Sequence, residues 1–390
     1  MRIDLVLLCL AYVLSQFFRA FLAVLTQVLE TDIGATPADL AFASGLWFIV
    51  FAAMQIPVGA ALDSIGPRRT SAVLLLIGGG GGAALFAMAT TPLHVSIAMA
   101  LIGVGCSPVL MASYFIFARM YPPARFATLA ALMLGVGSVG NLIAAYPTAW
   151  AAETIGWRAT LWVLAAISSS IAIGLWSLVQ DPPKANSTEK GSVLDLLKIP
   201  ALWLLFPLMF VNYMPAAGIR GLWIGPYLSD TFTLTTSEIG QATLVMGVAM
   251  IIGTFAYGPA GRILKTRKWV IIGGNLMGAI ALIGLTVFAD SGALRSVLLM
   301  SIVGFAGASF PVLIAHARSF FPSHLTGRGV TLMNLFGIGG VGIMQFASGR
   351  LHGSLAGTES GAPYLAIFGF FALALALGCV VYLFSRDSMD

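Results

Sequence analysis

The sequence has 390 residues, of which 59% are hydrophobic and only 9% are charged, and its mean hydropathy is +0.96. A soluble domain carries about 25% charged residues, so this composition excludes a soluble globular protein and predicts an integral membrane protein. The net charge of +5 is no sign of nucleic-acid binding, because the charges fall in short loops between apolar segments. The cysteines Cys9, Cys106 and Cys379 lie far apart within such segments, so we expect neither a disulfide nor a metal site.

Twelve apolar segments follow one another along the chain, and each is about 20–28 residues long. A helix of that length crosses a hydrocarbon core of about 30 Å with some tilt. The first segment directly follows Met1–Asp4 without a small-residue cleavage site, so we interpret it as a membrane span and not as a signal peptide. The pattern predicts an all-α polytopic membrane protein with spans at residues 5–29, 38–61, 70–90, 94–118, 126–149, 159–179, 201–228, 239–261, 269–289, 296–317, 329–349 and 364–384.

A polar stripe surrounds Arg19 in the first span. An arginine at the centre of a span costs about 2.5–3.5 kcal/mol on insertion scales unless its charge is compensated. Its polar neighbours recur three and four positions apart, which places them on one face of a continuous helix. We therefore expect this face to border a cavity and not lipid. The stripe consists of Tyr12, Ser15, Gln16, Arg19, Thr26, Gln27 and Glu30.

Lys and Arg residues are unequally distributed between the two ends of the spans. With a cytoplasmic N-terminus, 15 of the 20 basic residues lie on the cytoplasmic side and 3 on the outer side. The positive-inside rule then predicts a multi-pass protein of the inner membrane with both termini in the cytoplasm. The other two basic residues, Arg19 and Arg220, lie inside predicted spans.

An internal repeat divides the chain into two halves. The loop Gly59–Arg69 after the second span resembles Gly258–Lys268 after the eighth. Between the sixth and seventh spans lies a polar, flexible stretch whose end, Ser192–Lys198, predicts a short amphipathic helix. We expect an N-terminal six-helix half at 1–180, a cytoplasmic linker at 181–200 and a C-terminal six-helix half at 201–390.

The first of these loops has the pattern G-x-x-x-D-x-x-G-x-R-R, which resembles the signature of the major facilitator superfamily. The resemblance covers the whole chain and implies two pseudo-symmetric halves of six helices with substrate near the midplane. It also implies that the loops latch an inner gate, in which Asp63 accepts hydrogen bonds from a helix N-terminus and from arginine; alternatively they only anchor the topology. The gating residues would be Gly59, Asp63, Gly66, Arg68, Arg69, Arg262, Arg267 and Lys268.

Several glycine patterns are predicted to serve helix packing. Gly59 should allow two helices to approach closely, and Gly66 should allow a tight turn. The G-x-G-x-x-G patterns at 135–140 and 337–342 lie within predicted helices and lack the preceding strand of a dinucleotide site, so we expect backbone packing there. The five glycines at 78–82 lack a following Lys-Ser/Thr and are interpreted as a packing or bending site, not a phosphate loop.

Arg220 in the seventh span is the counterpart of Arg19 in the duplicated half. No carboxylate is predicted at the depth of these two arginines, so a substrate is the simplest source of negative charge. The planar guanidinium binds carboxylate, phosphate or sulfonate groups through two hydrogen bonds. We therefore predict an anion held between Arg19 and Arg220; the alternative is that each arginine caps backbone carbonyls or reaches the membrane surface. Further candidate binding residues are polar or aromatic: Gln16, Tyr12, Trp47, Tyr114, Asn141, Asn212, Tyr213, Trp223, Gln241 and Asn334.

The arginine pair resembles that of the organophosphate:phosphate antiporters in the same superfamily. Those proteins carry a lysine after the first arginine and a histidine on the fifth span, where this chain has Ala20 and Asn141. The resemblance thus implies anion transport, with carboxylate as plausible as phosphate. The lone histidines His94 and His316 suggest no metal site, and His316 is either structural or linked to a proton.

The prediction is a secondary transporter for a small anion that works by alternating access, as exchanger or symporter. It needs no cofactor and no partner beyond its substrate and the bilayer, and a monomer suffices. The alternative is proton-coupled efflux of drugs or other amphiphiles, which would usually carry an acid within the first spans. An enzyme or receptor would require an intramembrane catalytic dyad or a large soluble domain, and the sequence offers neither.

Overall fold

The computed structural model describes residues 3–183, 193–288, 292–322, 325–357 and 361–388, and most of the predicted linker lies outside this part. The described residues contain 9 helices long and apolar enough to cross a membrane, or 12 spans when three bent pairs are each counted once. The predicted all-α fold is confirmed. In chain order, spans 1 to 12 are Ile3–Phe17 with Phe21–Ile33, Pro37–Ala53 with Gln55–Ser64, Pro67–Ala87, Pro92–Met120, Thr128–Ile143 with Tyr146–Ile155, Trp157–Leu178, Pro200–Phe232, Thr236–Ile263, Lys268–Val287, Ala293–Arg318, Arg328–Ser354 and Ala362–Tyr382.

Helix starts and stops follow from local sequence. Gly34 ends the second part of span 1 with a left-handed φ of 67°. Thr36 then begins span 2 through a capping box, in which its side chain accepts a hydrogen bond from the backbone N–H of Asp39 and the Asp39 carboxylate accepts one from that of Thr36. Pro37 occupies the first helical turn, where no N–H donor is needed.

The spans group into two compact units. Unit 1 contains spans 1 to 6 and the first turn of span 8, Thr236–Gly240, and unit 2 contains the rest. The predicted amphipathic helix is observed at Val193–Leu196, where Leu196 is fully buried in the core of unit 2. Ser192 lies outside the described residues.

Corresponding glycines pack the first and fifth spans of each unit. A Cβ added to Gly140 would lie 2.0 Å from the carbonyl oxygen of Val13 in span 1. In unit 2, a Cβ on Gly340 would lie 2.1 Å from the carbonyl oxygen of Phe210 in span 7. The predicted backbone packing at the two G-x-G-x-x-G segments is confirmed, since no side chain would fit at either crossing.

Four of the five glycines at 78–82 in span 3 belong to a π-helix, Leu75–Gly81, and Gly82 begins the following α-helix. A Cβ on Gly78 would lie 2.4 Å from the backbone nitrogen of Gly105 in span 4. On another face, a Cβ on Gly80 would lie 2.4 Å from the hydroxyl of Ser169 in span 6. The prediction of a packing site is confirmed.

A carboxylate beyond the last span of each unit caps the third span. In unit 1, Asp181 accepts a 2.8 Å hydrogen bond from the backbone N–H of Arg68 and lies 3.4 Å from the Arg68 Nε. In unit 2, the Asp387 carboxylate accepts hydrogen bonds from the backbone N–H groups of Arg267 and Lys268 and from the Thr266 hydroxyl. These acids neutralise the positive N-terminal ends of spans 3 and 9.

Candidate functional site

Arg19 lies where the helix of span 1 is interrupted. The first part of the span ends at Phe17, residues 18–20 form a turn, and a 3₁₀ helix begins at Phe21. The N–H of Arg19 bonds the carbonyl of Gln16 instead of that of Ser15, and the two parts of the span meet at 53°. The prediction of one continuous polar face was therefore wrong beyond Arg19, because the turn and the 3₁₀ segment break the α-helical spacing.

Aromatic rings of span 2 hold the Arg19 guanidinium. Its central carbon lies 4.9 Å from the ring centroid of Phe51 and 5.4 Å from that of Trp47, and these two rings are stacked. Trp47 is fully buried, and Gly103 of span 4 packs so closely that an added Cβ would lie 2.7 Å from the Trp47 carbonyl oxygen. A cation over such ring faces is stabilised by their π electrons, so Trp47 and Phe51 form a fixed support for Arg19.

Two donors of this region have no hydrogen-bond partner among the described residues. They are the Nε of Arg19 and the indole nitrogen of Trp47, and both atoms are shielded from solvent. Among the described residues, no carboxylate lies within 4.0 Å of the Arg19 nitrogens. Buried donors without acceptors are costly, so a ligand with acceptor oxygens would gain from binding here.

Other predicted residues of unit 1 lie on spans 1, 4 and 5. The buried Tyr12 accepts a 2.9 Å hydrogen bond from the half-buried Gln16 through its hydroxyl oxygen. Tyr114 is half-buried with its ring 5.9 Å from Phe126. Asn141 is half-buried, and its side-chain oxygen has no partner among the described residues.

Arg220 also lies in an irregular segment, a π-helix that covers Ile219–Trp223. Its side chain is only 2% exposed. Single π-helical turns within α-helices occur frequently at functional sites. Both intramembrane arginines are thus placed where the α-helix is interrupted, although each unit uses a different interruption.

Asn212 belongs to a buried polar group that joins three spans of unit 2. Its side-chain nitrogen donates hydrogen bonds to Asn275 Oδ1 at 2.8 Å and to Ser309 Oγ at 2.9 Å. Asn275 in turn donates to the backbone carbonyl of Ile271, which fixes the orientation of both amides. The Asn212 oxygen has no partner among the described residues and remains available as an acceptor.

The remaining predicted residues of unit 2 have varied surroundings. Trp223 is fully buried and donates from its indole nitrogen to Ser348 Oγ at 3.0 Å. Tyr213 packs its ring 5.1 Å from that of Phe310. Asn334 is half-buried and Gln241 is exposed.

Asp63 in the predicted gating loop forms an ion pair with an arginine of another helix. Its carboxylate lies 3.4 Å from a guanidinium nitrogen of Arg119 at the end of span 4, and the Asp63 side chain is 70% exposed. Gly66 has a φ of +106°, which confirms the tight turn. The expectation of a close helix contact at Gly59 was wrong for the described part of unit 1, where no atom lies within 4 Å of an added Cβ. Among the other gating residues, Arg69 and Arg262 are exposed, and Arg68, Arg267 and Lys268 are half-buried.

Three residues with notable contacts were not singled out from the sequence. They are the capping acids Asp181 and Asp387 and the histidine His352 of span 11. Burial alone would raise the pKa of the Asp387 carboxyl, but hydrogen bonds from Thr266 and from the backbone of Lys268 and Arg267 outweigh it and hold that pKa below its ordinary value. Asp387 is thus ionised and able to cap span 9.

Known proteins of similar sequence and structure are membrane transporters. The metabolite transport protein NicT of Pseudomonas putida is 22% identical over 78% of this chain and 75% of its own length. The sialic acid transporter NanX of Escherichia coli is 23% identical over 96% of this chain and 89% of its own. A solved D-xylose–proton symporter has a TM-score of 0.78 at 16% identity, covering 98% of this chain and 97% of that one. The nucleoside transporter NupG, in a variant form, has a TM-score of 0.76 at 16% identity, covering 98% and 99%.

The twelve spans, the two repeated units and these similarities define a multi-pass membrane transporter and not an enzyme. The family model described as Major Facilitator Superfamily matches residues 8–222, more than half of the chain. This protein belongs to the major facilitator superfamily, as the signature loop Gly59–Arg69 suggested.

Proposed function

We propose that this protein transports a small organic or inorganic anion across the inner membrane by alternating access, with Arg19 and Arg220 as its ligands. One observation carries the proposal: each half of the chain has one arginine near the middle of a span, and each of these two arginines lies at an interruption of the α-helix. An interrupted helix exposes backbone groups that are tolerated at membrane depth only where they line a cavity or are buried in protein.

The surroundings of Arg19 favour an anion over a neutral substrate. Its described contacts are aromatic faces, and these compensate a positive charge only in part, by about 0.5–2 kcal/mol. Because no carboxylate forms an ion pair with Arg19 among the described residues, the remaining compensation would come from a ligand. Arg19 Nε and the indole nitrogen of Trp47 would supply hydrogen bonds to its oxygens.

Burial supports a role of Arg220 in the same task. A guanidinium that is 98% removed from solvent requires nearby negative or polar groups, because desolvation of a charge costs several kcal/mol. An anion that reaches Arg220 would gain a charge-assisted hydrogen bond in a medium of low dielectric constant. Asn212 and Trp223 lie on the same span, but their side-chain donors are hydrogen-bonded to Asn275, Ser309 and Ser348. Arg220 therefore supplies the proposed C-terminal contact to the anion.

One relative favours a carboxylate as the anion class. NanX is a sialic acid transporter, sialic acid is a carboxylic acid, and NanX aligns over nearly the whole chain. The lysine and histidine of the organophosphate antiporters are replaced by Ala20 and Asn141, which removes two groups suited to a doubly charged phosphate. The bidentate fork of arginine suits a carboxylate equally well.

Orientation and gating complete the proposal. Both termini face the cytoplasm, as the distribution of basic residues predicts, and a monomer is the functional form. The Asp63–Arg119 ion pair forms part of the latch at the inner gate. The Asp63→Asn variant should move the population toward inward-facing states, measured as spin-label distances across the inner gate; unchanged distances would contradict the latch.

The deciding experiment combines binding and flux. Purified protein is tested for thermal stabilisation by phosphates, mono- and dicarboxylates, sulfonates and neutral drugs, and then for uptake into proteoliposomes. Stabilisation and flux by an anion should be lost in Arg19→Gln and in Arg220→Gln, and kept in Arg125→Gln, which changes an exposed arginine. Equal anion binding by the wild type and the two site variants would refute the anion site.

A further inference from the structure

The histidines of unit 2 that the structure describes have opposite surroundings. His316 is completely buried, and both of its ring nitrogens are hydrogen-bonded: Nε2 donates to the carbonyl of Arg386 at 2.9 Å and Nδ1 accepts from the hydroxyl of Tyr382. An imidazole bonded in this way on both sides has the contacts of a structural residue. His352, in the last turn of span 11, has no hydrogen bond to its ring within the described part of the chain.

Two aromatic rings pack against the ring of His352. The Trp223 ring lies 5.2 Å away at an interplanar angle of 31°, and the Tyr364 ring lies 5.2 Å away at 60°. The two aromatic rings also contact one another, at 6.4 Å. A protonated imidazole in this position would be a cation 5.2 Å from the centroids of two aromatic rings, which is within the distance range of cation–π attraction. The half-buried ring keeps its nitrogens free of described partners and thus available to a proton.

The charged and titratable groups around His352 come from three spans. Asp230, near the end of span 7, accepts a hydrogen bond from the Tyr364 hydroxyl at the start of span 12. Burial of the ring disfavours a positive charge on His352, and the Asp230 carboxylate opposes this effect by attracting that charge. On span 11 itself, Arg350 is exposed, two residues before His352. The cluster thus contains a base, a phenol and an exposed carboxylate that can exchange protons with water.

Trp223 connects this cluster to the arginine segment. It is the last residue of the π-helix Ile219–Trp223, which contains Arg220. Its indole nitrogen donates a hydrogen bond to the hydroxyl of Ser348, which lies one helical turn before His352 on span 11. A change of charge on His352 therefore acts on a ring that belongs to the same short segment as Arg220.

We propose that His352 is the proton-binding site of the transport cycle, and that a proton on His352 and the anion favour each other's binding. The anion part of this statement rests on the proposed function. The chemistry is the transfer of one proton from water to a ring nitrogen and its later release, with no other bond changed. A positive His352 near Arg220 is less unfavourable when an anion is bound, and linkage makes this effect reciprocal. Proton and anion would then move in the same direction.

Tryptophan fluorescence tests proton binding without any substrate. A protonated imidazole quenches an indole in contact with it, so acidification of the purified protein should produce a fluorescence step. The step should be lost in His352→Gln and in Trp223→Phe, and kept in His94→Gln, a histidine of unit 1 whose Nδ1 lies near Thr90. A step of unchanged amplitude in His352→Gln would overturn the proposal. Loss of the step in His94→Gln would do the same.

Transport separates this proposal from the anion site. For an anion that the panel identifies, uptake driven by a pH gradient is compared with exchange at equal pH on both sides. The ratio of gradient-driven uptake to exchange should fall about tenfold in His352→Gln, within the usual range of coupling between linked sites. An unchanged ratio overturns proton coupling through His352. Absence of any anion transport by the wild type refutes the anion proposal instead. The fluorescence step then tests by itself whether His352 binds a proton.

Discussion

Each unit holds an arginine inside a membrane span, but the local structure around the arginine differs between the two units. In unit 1 the helix breaks, and Arg19 is half-buried against two aromatic rings. In unit 2 the helix widens into a π turn, and Arg220 is almost completely buried. The glycine crossings beside both spans are nearly identical. An added Cβ would lie 2.0 Å from a carbonyl oxygen at Gly140 and 2.1 Å from one at Gly340. The duplication thus preserved the packing of the scaffold, whereas the arginine segments diverged.

This difference suggests that the two arginines divide the work. The more accessible Arg19, with open donors nearby, suits the first contact with a ligand. Arg220 requires removal of almost all water and suits the closed, occluded state. Four sets of substitutions test this difference between the units.

The largest effect is expected from filling the glycine crossings. Gly140→Val and Gly340→Val should each prevent correct folding, with a loss of more than about 4 kcal/mol, because the backbone atom opposite cannot move aside. Yield of monodisperse protein and its Tm measure the outcome. Gly135→Val is the matched control, since no described atom lies within 4 Å of a Cβ there. A folded Gly340→Val protein would show that the two crossings are not equivalent.

The next effect concerns the arginines themselves. Arg19→Lys and Arg220→Lys keep the charge but lose the planar fork, so anion affinity should fall about 10- to 100-fold, or about 1.5–3 kcal/mol. Ligand-dependent shifts of Tm give the affinities, and Arg125→Lys is the control. If only one of the two substitutions weakens binding, the site belongs to one unit and the proposed pair is wrong.

A smaller effect is expected from the aromatic support of Arg19 in unit 1. Trp47→Leu should weaken anion binding about 2- to 30-fold, the equivalent of about 0.5–2 kcal/mol, because Arg19 loses a ring face. Trp47→Phe should recover part of the loss. Trp150→Leu, which changes an exposed tryptophan of the same unit, serves as control. Equal affinity in Trp47→Leu and wild type would remove Trp47 from the site.

The smallest effect is expected at the capping acids. Asp181→Asn and Asp387→Asn should each lower the stability by about 1 kcal/mol, as weakened helix caps do. Because the pKa of Asp387 is lowered in the folded state, its stabilisation is present above the ordinary pKa of 3.8 and is lost as the pH falls through the folded-state value. The Tm difference between wild type and Asp387→Asn should therefore narrow on acidification. A constant difference would contradict a role for the ionised carboxylate.

Much of the scaffold could be predicted from the sequence because hydrophobic length and repetition are local signals. The spans, the turn at Gly66 and the packing role of Gly140 follow from such signals. The break at Arg19 does not, since residues 17–21 contain neither glycine nor proline, the residues that most often interrupt a helix.

The contacts that could not be predicted join residues far apart in the chain. Asp181 lies 113 positions from Arg68, and a polar stretch rich in proline is typical of a linker and not of a cap. His352 is a lone histidine near a span end, and no sequence spacing shows that Trp223 and Tyr364 pack against it. The second loop has Arg262 at the position that Asp63 occupies in the first loop. No spacing in the sequence shows that Asp387 supplies a carboxylate at the start of span 9.

The capping acids also have a mechanical meaning. Asp181 links the end of span 6 to the start of span 3. Asp387 links the end of span 12 to the start of span 9. The Lys268 ammonium at the start of span 9 also donates hydrogen bonds to the carbonyls of Leu383 and Ser385. Each hydrogen-bonded contact joins two spans that the chain itself connects only through two further spans. A load applied to one of the joined helices is carried directly by the other, so each unit resists shear between them. Such links favour movement of a unit as a rigid body over deformation within the unit.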